Sequence, residues 1–336
     1  MRTAQCLGMT VVRAAAVQAP PVYLDKTAST ARAVELLEKA KAGGARLVVF
    51  AESWLPGYPE WLSYGVSWYD AGRPKDLFGR FSRNSVTLRG PEVSAIAEAA
   101  GRLGVVVVLG ISERDDEFSR GTLFNTAVFI DEQGRVRNAH RKPVPTYFEK
   151  MVWGLGDASG LQVLDSPTAG RVAGMLCWEN WMPLARFALH AAGEQVHAAL
   201  WPDVPEFNVL ATRSYAFEGR CFVVSAGTRL LGRDLPDDLR DCGAFGPDPV
   251  DDDRVLLKGG STIAGPDGGV LATAALDDDL LVADLDLDLI AGEQQIMDVA
   301  GHYNRPDLFQ LTVNRSPMPQ LRSDGAGQIG ERPAHG

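Results

Sequence analysis

Three short segments each run through apolar residues and stop at a side chain capable of chemistry. Leu47-Val48-Val49-Phe50-Ala51 ends at Glu52, the stretch before Pro143 ends at Lys142, and Val172-Ala173-Gly174-Met175-Leu176 ends at Cys177. A carboxylate that closes a buried strand is partly desolvated, which raises its pKa and suits it to general-base work near neutrality. An exposed strand-end glutamate reads the same segment equally well. A lysine held at a strand end keeps its charge and can stabilise an anionic intermediate without accepting a proton. Taken alone, His140-Arg141-Lys142 also reads as solvated surface. Cys177 falls between a strand and a helix start. Helix-start amides and a nearby ammonium are expected to lower its pKa and generate the nucleophilic thiolate. The same amides, Trp178 N–H above all, suit an oxyanion-like nitrogen or oxygen. Each of the four cysteines, Cys6, Cys177, Cys221 and Cys242, is by itself also readable as a small buried hydrophobe. None forms a CxxC pair, so neither a zinc site nor a disulfide framework is indicated.

The elements that must position these residues alternate between β-rich runs and helical stretches, which predicts a layered α/β architecture. Val11–Gln18 and Arg46–Ala51 read as strands around a helix over Thr27–Ala42, stopped by Gly43-Gly44. A second repeat opens a helix at Gly90-Pro91, running to Leu103, before the apolar strand Val105–Ile111. Leu123–Ile130 and Arg135–His140 flank the turn Asp131-Glu132-Gln133-Gly134 as a hairpin, and Gly260–Ala275 forms another around Pro266-Asp267-Gly268-Gly269. Between them lie strand Val172–Leu176, helix Pro183–Ala192, strand Ala198–Trp201, helix Val209–Arg220 and strand Phe222–Ala226. Nothing resembles a linker, so one continuous domain with mixed sheets is expected over residues 10–314. Asp234–Asp253 carries eight aspartates and three prolines and reads as a solvated surface loop, without the alternating acidic pattern of a calcium loop. Residues 315–336, rich in Gly, Pro and Ser, read as a flexible tail.

With 336 residues, 46% of them hydrophobic, the chain can bury a large core. A net charge of −10 with no basic cluster argues against nucleic acid and anionic membranes as partners. No apolar run is long enough to span a bilayer, and Met1–Gln5 lacks the features of a secretory signal, so a cytoplasmic protein is expected. Tyr58, Trp61, Tyr147, Trp178 and Trp181 flank the three reactive strand ends and are candidates to wall an apolar substrate pocket. His140 and His197 raise the idea of a Cys-His hydrolase, but no companion motif or base-orienting residue accompanies them.

Glutamate, lysine and cysteine in this order and context resemble the triad of the nitrilase superfamily. The resemblance rests on Phe50-Ala51-Glu52 with Pro56-Gly57-Tyr58-Pro59, on Arg141-Lys142 with Pro145-Thr146, Glu149 and Trp153-Gly154-Leu155-Gly156-Asp157, and on Cys177-Trp178-Glu179-Asn180. Trp201-Pro202, Tyr215 to Phe222, Gly259-Gly260-Ser261 and His302 to Phe309 extend it across residues 10–314. The Cys-Trp-Glu element is similar to the nitrilase branch proper, rather than to the amidases and carbamoylases. Pro143 and Ala158 depart from the family's usual leucine and glycine, and Pro143 bears on how the chain leaves Lys142. The resemblance implies a single-domain, four-layer αββα sandwich in which Glu52, Lys142 and Cys177 meet at one end of the sheets. It implies hydrolysis of a small-molecule nitrile to acid and ammonia, with no metal or organic cofactor, in a homo-oligomer, dimer or spiral. Glu149 is implied to orient Lys142, whereas Glu179 and Glu218 read as caps or ion-pair partners. Asn180 with Met182-Pro183-Leu184 resembles nitrilases of aromatic or arylacetonitrile substrates. A superfamily amidase, an enzyme that stops at the amide, and a non-catalytic scaffold are the rival readings.

Overall fold

The computed structural model describes residues 11–64, 72–117 and 119–318. Cys6 and tail residues 319–336 lie outside that range. Strand β1 (Val11–Val17) leads through α1 (Lys26–Ala42) to β2 (Leu47–Val49), and α2 (Gly72–Asn84) and α3 (Pro91–Leu103) precede β3 (Val106–Arg114), β4 (Leu123–Ile130) and β5 (Val136–Arg141). Then follow β6 (Leu164–Ser166), β7 (Gly170–Leu176), α4 (Pro183–Ala191), β8 (Val196–Leu200), α5 (Glu206–Gly219), β9 (Phe222–Ala226) and β10 (Arg229–Leu231). Helix α6 (Asp237–Arg240), β11 (Val255–Lys258), β12 (Thr262–Ala264), β13 (Val270–Thr273), β14 (Leu280–Asp286) and α7 (Leu289–Ile296) complete the described elements.

Local chemistry sets the helix ends. Asp25 accepts from the Ala28 N–H to cap α1, and Gly104, at φ 62°, closes α3 in the left-handed conformation that glycine adopts freely. One face of α1, through Ala33, Leu36, Leu37 and Ala40, is buried against the first sheet.

The first sheet has the order β14-β1-β2-β3-β4-β5 and the second β13-β12-β9-β8-β7-β6; β10 and β11 form a separate ribbon. Both are mixed: β1-β2-β3 and β7-β8-β9 pair in parallel, while their flanking strands pair antiparallel. The sheets stack with β1 and β2 over β9 and β4 over β7. On β8 the strand period of two divides the work. Val196, Ala198 and Leu200 enter the core between the sheets, and Ala199 packs with Ala188 and Leu189 of α4 and Ala211 and Tyr215 of α5. Helices α1 and α3 cover the other side, which gives the expected αββα sandwich. Among the described residues no helix is long and apolar enough to cross a membrane.

Three features differ from expectation. Strand β14, antiparallel to β1, helices α2 and α7, and the short strands β6, β10 and β11 were not anticipated. Segment 234–253 is not merely a solvated excursion: all its aspartates except the half-buried Asp234 face out, but Leu235, Leu239, Phe245 and Val250 are buried in a second core with Tyr23, Trp61, Phe81 and Trp153. The interleaved apolar residues pull the segment onto the body despite its charge, and Asp238 and Asp252 pair with Arg80 and Arg240. Finally, residues 315–318 are held in place, because Arg315 Nε donates to the Leu161 carbonyl and the Met318 N–H to Asp157.

Candidate active site

Glu52 lies just past β2, and Ser53 behind it sits at φ 46°, a backbone state that non-glycine residues rarely adopt. Gly110 on β3 makes the approach possible, since any Cβ there would collide with the Ala51 carbonyl. The Glu52 N–H donates to the Trp201 carbonyl at 3.1 Å, joining the end of one sheet to the other. Its side chain is fully buried; Oε1 accepts from Lys142 Nζ and Asn125 Nδ2, both at 2.7 Å, and Oε2 has no partner among the described residues. Burial pushes its pKa up to about 7, against the pull of Lys142 and with help from the charge of Glu149.

Lys142 follows β5. Its N–H donates to the Asn125 carbonyl and its own carbonyl accepts from Gly156, where a Cβ would strike the Arg141 carbonyl. These backbone bonds hold the residue in place even though Pro143 follows. The ammonium bridges Glu52 Oε1 and Glu149 Oε2 at 2.7 Å each. Burial works against its charge, but Cys177, Glu52 and Glu149 outweigh it and hold the pKa above the ordinary lysine value. Glu149 is the third residue of the 3-10 turn Tyr147–Met151, accepts from the Thr146 N–H through Oε2, and accepts from the Tyr58 hydroxyl at 2.9 Å through Oε1. A carboxylate with three donors is fixed in orientation.

Cys177 starts the 3-10 turn Cys177–Trp181 at φ 50°, buried at the end of β7. Its thiol is not poised as a resting thiolate. Burial pushes the pKa well up and the charge of Glu52 adds to the rise, outweighing Lys142 and the Trp178 N–H, which pull it down. The expected lowering assumed an exposed helix start with a free ammonium; here Lys142 is already neutralised by two carboxylates. Proton transfer to a neighbouring base must therefore accompany attack.

The structure thus brings Glu52, Lys142, Glu149 and Cys177 together, with reactive atoms of Glu52, Glu149 and Cys177 within 4.8 Å of one another. A cavity of about 200 Å³ opens onto Cys177 and Glu149, with Glu52 and Lys142 buried behind them, and its wall includes Tyr58, Tyr147, Trp178, Asp203 and Phe207. Trp178 is about half exposed at its mouth, 6.4 Å from the Phe207 ring, and Tyr147 packs at a tilt, 4.1 Å between centroids, against Phe148. Trp61 and Trp181 are not on that wall: Trp61 is buried in the second core and Trp181 packs beside α4 and α5. Neither imidazole bonds to Cys177. His140 meets Glu179, which also accepts from the Leu176 N–H as a cap, and His197 meets Asn180 and Glu194. Glu218 pairs with Arg186.

Two groups of described residues converge closely enough to hold a metal, Glu52/Glu149/Cys177 and His190/Glu194/Cys221. In the first, the Lys142 ammonium stands where a cation would, and in the second Glu194 already accepts from Tyr215 and two imidazoles. Asn125, the second donor to Glu52, was missed from sequence. Its signal was a lone amide inside the apolar strand Leu123–Ile130, which must find a partner when buried.

A two-sheet αββα sandwich with glutamate, lysine and cysteine converging at the sheet ends defines the class: the chain belongs to the carbon-nitrogen hydrolase family, whose pattern matches residues 13–293. Among its relatives, nitrilase 2 of Arabidopsis thaliana is 38% identical over 312 residues, covering 92% of this chain and 90% of that one. The bifunctional nitrilase/nitrile hydratase NIT4A of Lupinus angustifolius is 37% identical over 308 residues, 91% of this chain and 87% of that one. The fold is shared with Nit3 of Saccharomyces cerevisiae, at 18% identity and a TM-score of 0.65 over 88% of this chain and 97% of that one.

Proposed function

We propose that the chain is a nitrilase that hydrolyses an organic nitrile, preferentially an aromatic or arylacetonitrile, to carboxylic acid and ammonia. The observation that carries the reading is the buried set of Glu52, Lys142, Glu149 and Cys177, of which Cys177 and Glu149 line the cavity. Glu52, with a pKa near 7 and its Oε2 unpartnered, takes the thiol proton as Cys177 sulfur attacks the nitrile carbon. The nitrile nitrogen gains negative charge, which Lys142 and the Trp178 N–H stabilise, and when Glu52 hands the thiol proton on to that nitrogen a thioimidate results and Glu52 is again free to act as base. Water, deprotonated by Glu52, adds to that carbon. Ammonia leaves with the proton and a thioester remains. A second water, again through Glu52, releases the acid and returns the proton to sulfur. Glu149 and Tyr58 hold Lys142 in position throughout, and the aromatic mouth of Tyr147, Phe148, Trp178 and Phe207 favours a flat apolar substituent.

The lupin relative is named for both nitrilase and nitrile hydratase activity, which favours a second product. If the tetrahedral intermediate expels sulfur instead of ammonia, the amide is released after one water. A panel of aromatic, arylacetic and aliphatic nitriles, with acid, amide and ammonia all quantified, measures the partition. Turnover of amides but of no nitrile overturns the nitrilase reading, and undiminished activity in Cys177→Ala overturns the nucleophile. We further infer a homo-oligomer in the cytoplasm. Exposed Leu184, Leu210 and Phe217 on α4 and α5 support assembly, and light scattering on the full chain tests it; a monomer at micromolar concentration refutes it.

A further inference from the structure

A buried polar chain runs from the backbone of Cys177 to residues far from the cavity. Asn180, three residues along the same turn, donates through Nδ2 to the Cys177 carbonyl at 2.8 Å and to the Met175 carbonyl at 3.4 Å. Those two acceptors fix which end of the amide is which, so Oδ1 faces His197 Nε2 at 2.8 Å as an acceptor. The Nε2 atom must therefore carry a proton. The other ring nitrogen, Nδ1, lies 2.8 Å from Glu194 Oε2. Glu194 is ionised: it accepts from the Tyr215 hydroxyl at 2.6 Å and from His190 Nδ1 at 2.9 Å, and although burial opposes its charge, the two histidines hold its pKa at about 2. Nδ1 must carry a proton as well.

We propose that His197 is a positioning residue for the nucleophile: a buried imidazolium, held by Glu194, it locks the Asn180 amide that clamps the carbonyl of Cys177. The proposal rests on Cys177 as the nucleophile. Cys177 needs such a clamp because its φ of 50° is strained for a residue with a side chain and persists only if its surroundings over-determine it. Every group facing the ring bears on its charge. Glu194 before β8 favours the cation. His190 and Arg186 on α4 oppose it, Glu218 on α5 partly neutralises both of them, Tyr215 on α5 stacks on the ring at 3.8 Å, and Cys221 adjoins the same cluster. Burial pulls the His197 pKa below the ordinary imidazole value against the pull of Glu194. The donor count points the other way, and it decides. With Glu194 ionised, a neutral ring in either tautomer would set two lone pairs against each other at 2.8 Å, and the Asn180 amide cannot turn to relieve this without releasing Cys177.

Nitrogen-15 solid-state spectra of the histidine-labelled full chain at pH 7.5, with His197 assigned by its loss in His197→Gln, read the ring directly. Both nitrogens protonated is the expected result, and one unprotonated nitrogen overturns the proposal. In Asn180→Asp the acceptor for His197 stays but the donor to Cys177 is gone. Its kcat should fall about 10- to 100-fold with KM nearly unchanged, and Cys177 alkylation by iodoacetamide should slow in parallel. His197→Gln, which can still donate to Asn180, should keep more activity than His197→Ala. Folded Asn180→Asp with wild-type kcat and alkylation rate refutes the clamp; if that variant does not fold, the wild-type spectrum alone decides. Alkylation needs no substrate, so slowed alkylation in a chain that turns over no nitrile would sink the nitrilase reading and leave the clamp standing.

Discussion

Replacing Asn125 with leucine tests the general base without touching it. Asn125 is nearly fully buried, its Nδ2 is one of two donors to Glu52 Oε1, and its own Oδ1 has no partner, so a near-isosteric leucine removes one bond and strands nothing on Asn125 itself. A hydrogen bond to a buried charge is worth about 1.5–3 kcal/mol. At about 1.4 kcal/mol per pH unit, the Glu52 pKa should climb from about 7 by about one to two units. Glu52 works ionised, so kcat/KM rises with pH through this pKa, and removal of a group that lowers it moves that limb to higher pH. At pH 7 the ionised fraction then falls roughly 5- to 50-fold, and the deficit shrinks above about pH 9. The assay is kcat/KM for an arylacetonitrile from pH 5 to 10 on both proteins, with thermal melts to show that the variant is folded. An acidic limb that coincides with the wild-type limb refutes the assignment of Glu52 as base.

Other perturbations give equally definite outcomes. Phe245→Ala, in the acidic segment but fully buried against Tyr23, should lower stability by about 3–5 kcal/mol in urea unfolding, and a loss under about 1 kcal/mol would mean the segment is peripheral. Glu194→Gln should destabilise by on the order of 3 kcal/mol near pH 7, because the folded-state pKa of about 2 lies below the ordinary carboxylate value of 4.5. That stabilisation is complete above about pH 4.5 and lost as pH falls toward 2, so a destabilisation independent of pH contradicts the ionised Glu194. Tyr58→Phe removes one bond to Glu149, about 1 kcal/mol, and should lower kcat about fivefold; unchanged kcat argues that Glu149 holds Lys142 without it.

The convergence of Glu52, Lys142 and Cys177 was legible because Glu52 and Cys177 each close an apolar run and Lys142 ends a hairpin strand in a recognisable context, and that of Glu149 because it follows Lys142 at a fixed offset. What stayed hidden depends on neighbours distant in sequence. The pKa of the thiol is set by burial and by whether Lys142 is free, and neither is visible in Val172 to Pro183. Strand β14 did carry a signal, with Leu281, Ala283 and Leu285 turned toward the body at every second position, but the intervening aspartate masked it; Asp284 is the outward partner of Arg13 on β1. Charge likewise masked Leu235, Leu239, Phe245 and Val250 in the acidic segment. Trp61 and Trp181 show the reverse error: an aromatic beside a reactive residue is as serviceable to a core as to a pocket.

The reactive groups belong to different sheets. Glu52 and Lys142 arrive on the first and Cys177 on the second, so their separation depends on the thickness of the layer between β1, β2, β4 and β7, β9. That layer is built largely from alanine and valine, among them Ala14, Ala16, Ala198 and Val224. It acts as a gauge block. Enlarging one of these residues, far from the cavity, would be read out as a changed distance between base and sulfur well before it is read out as unfolding. A search for variants of altered substrate range would therefore do well to look between the sheets as well as at the rim.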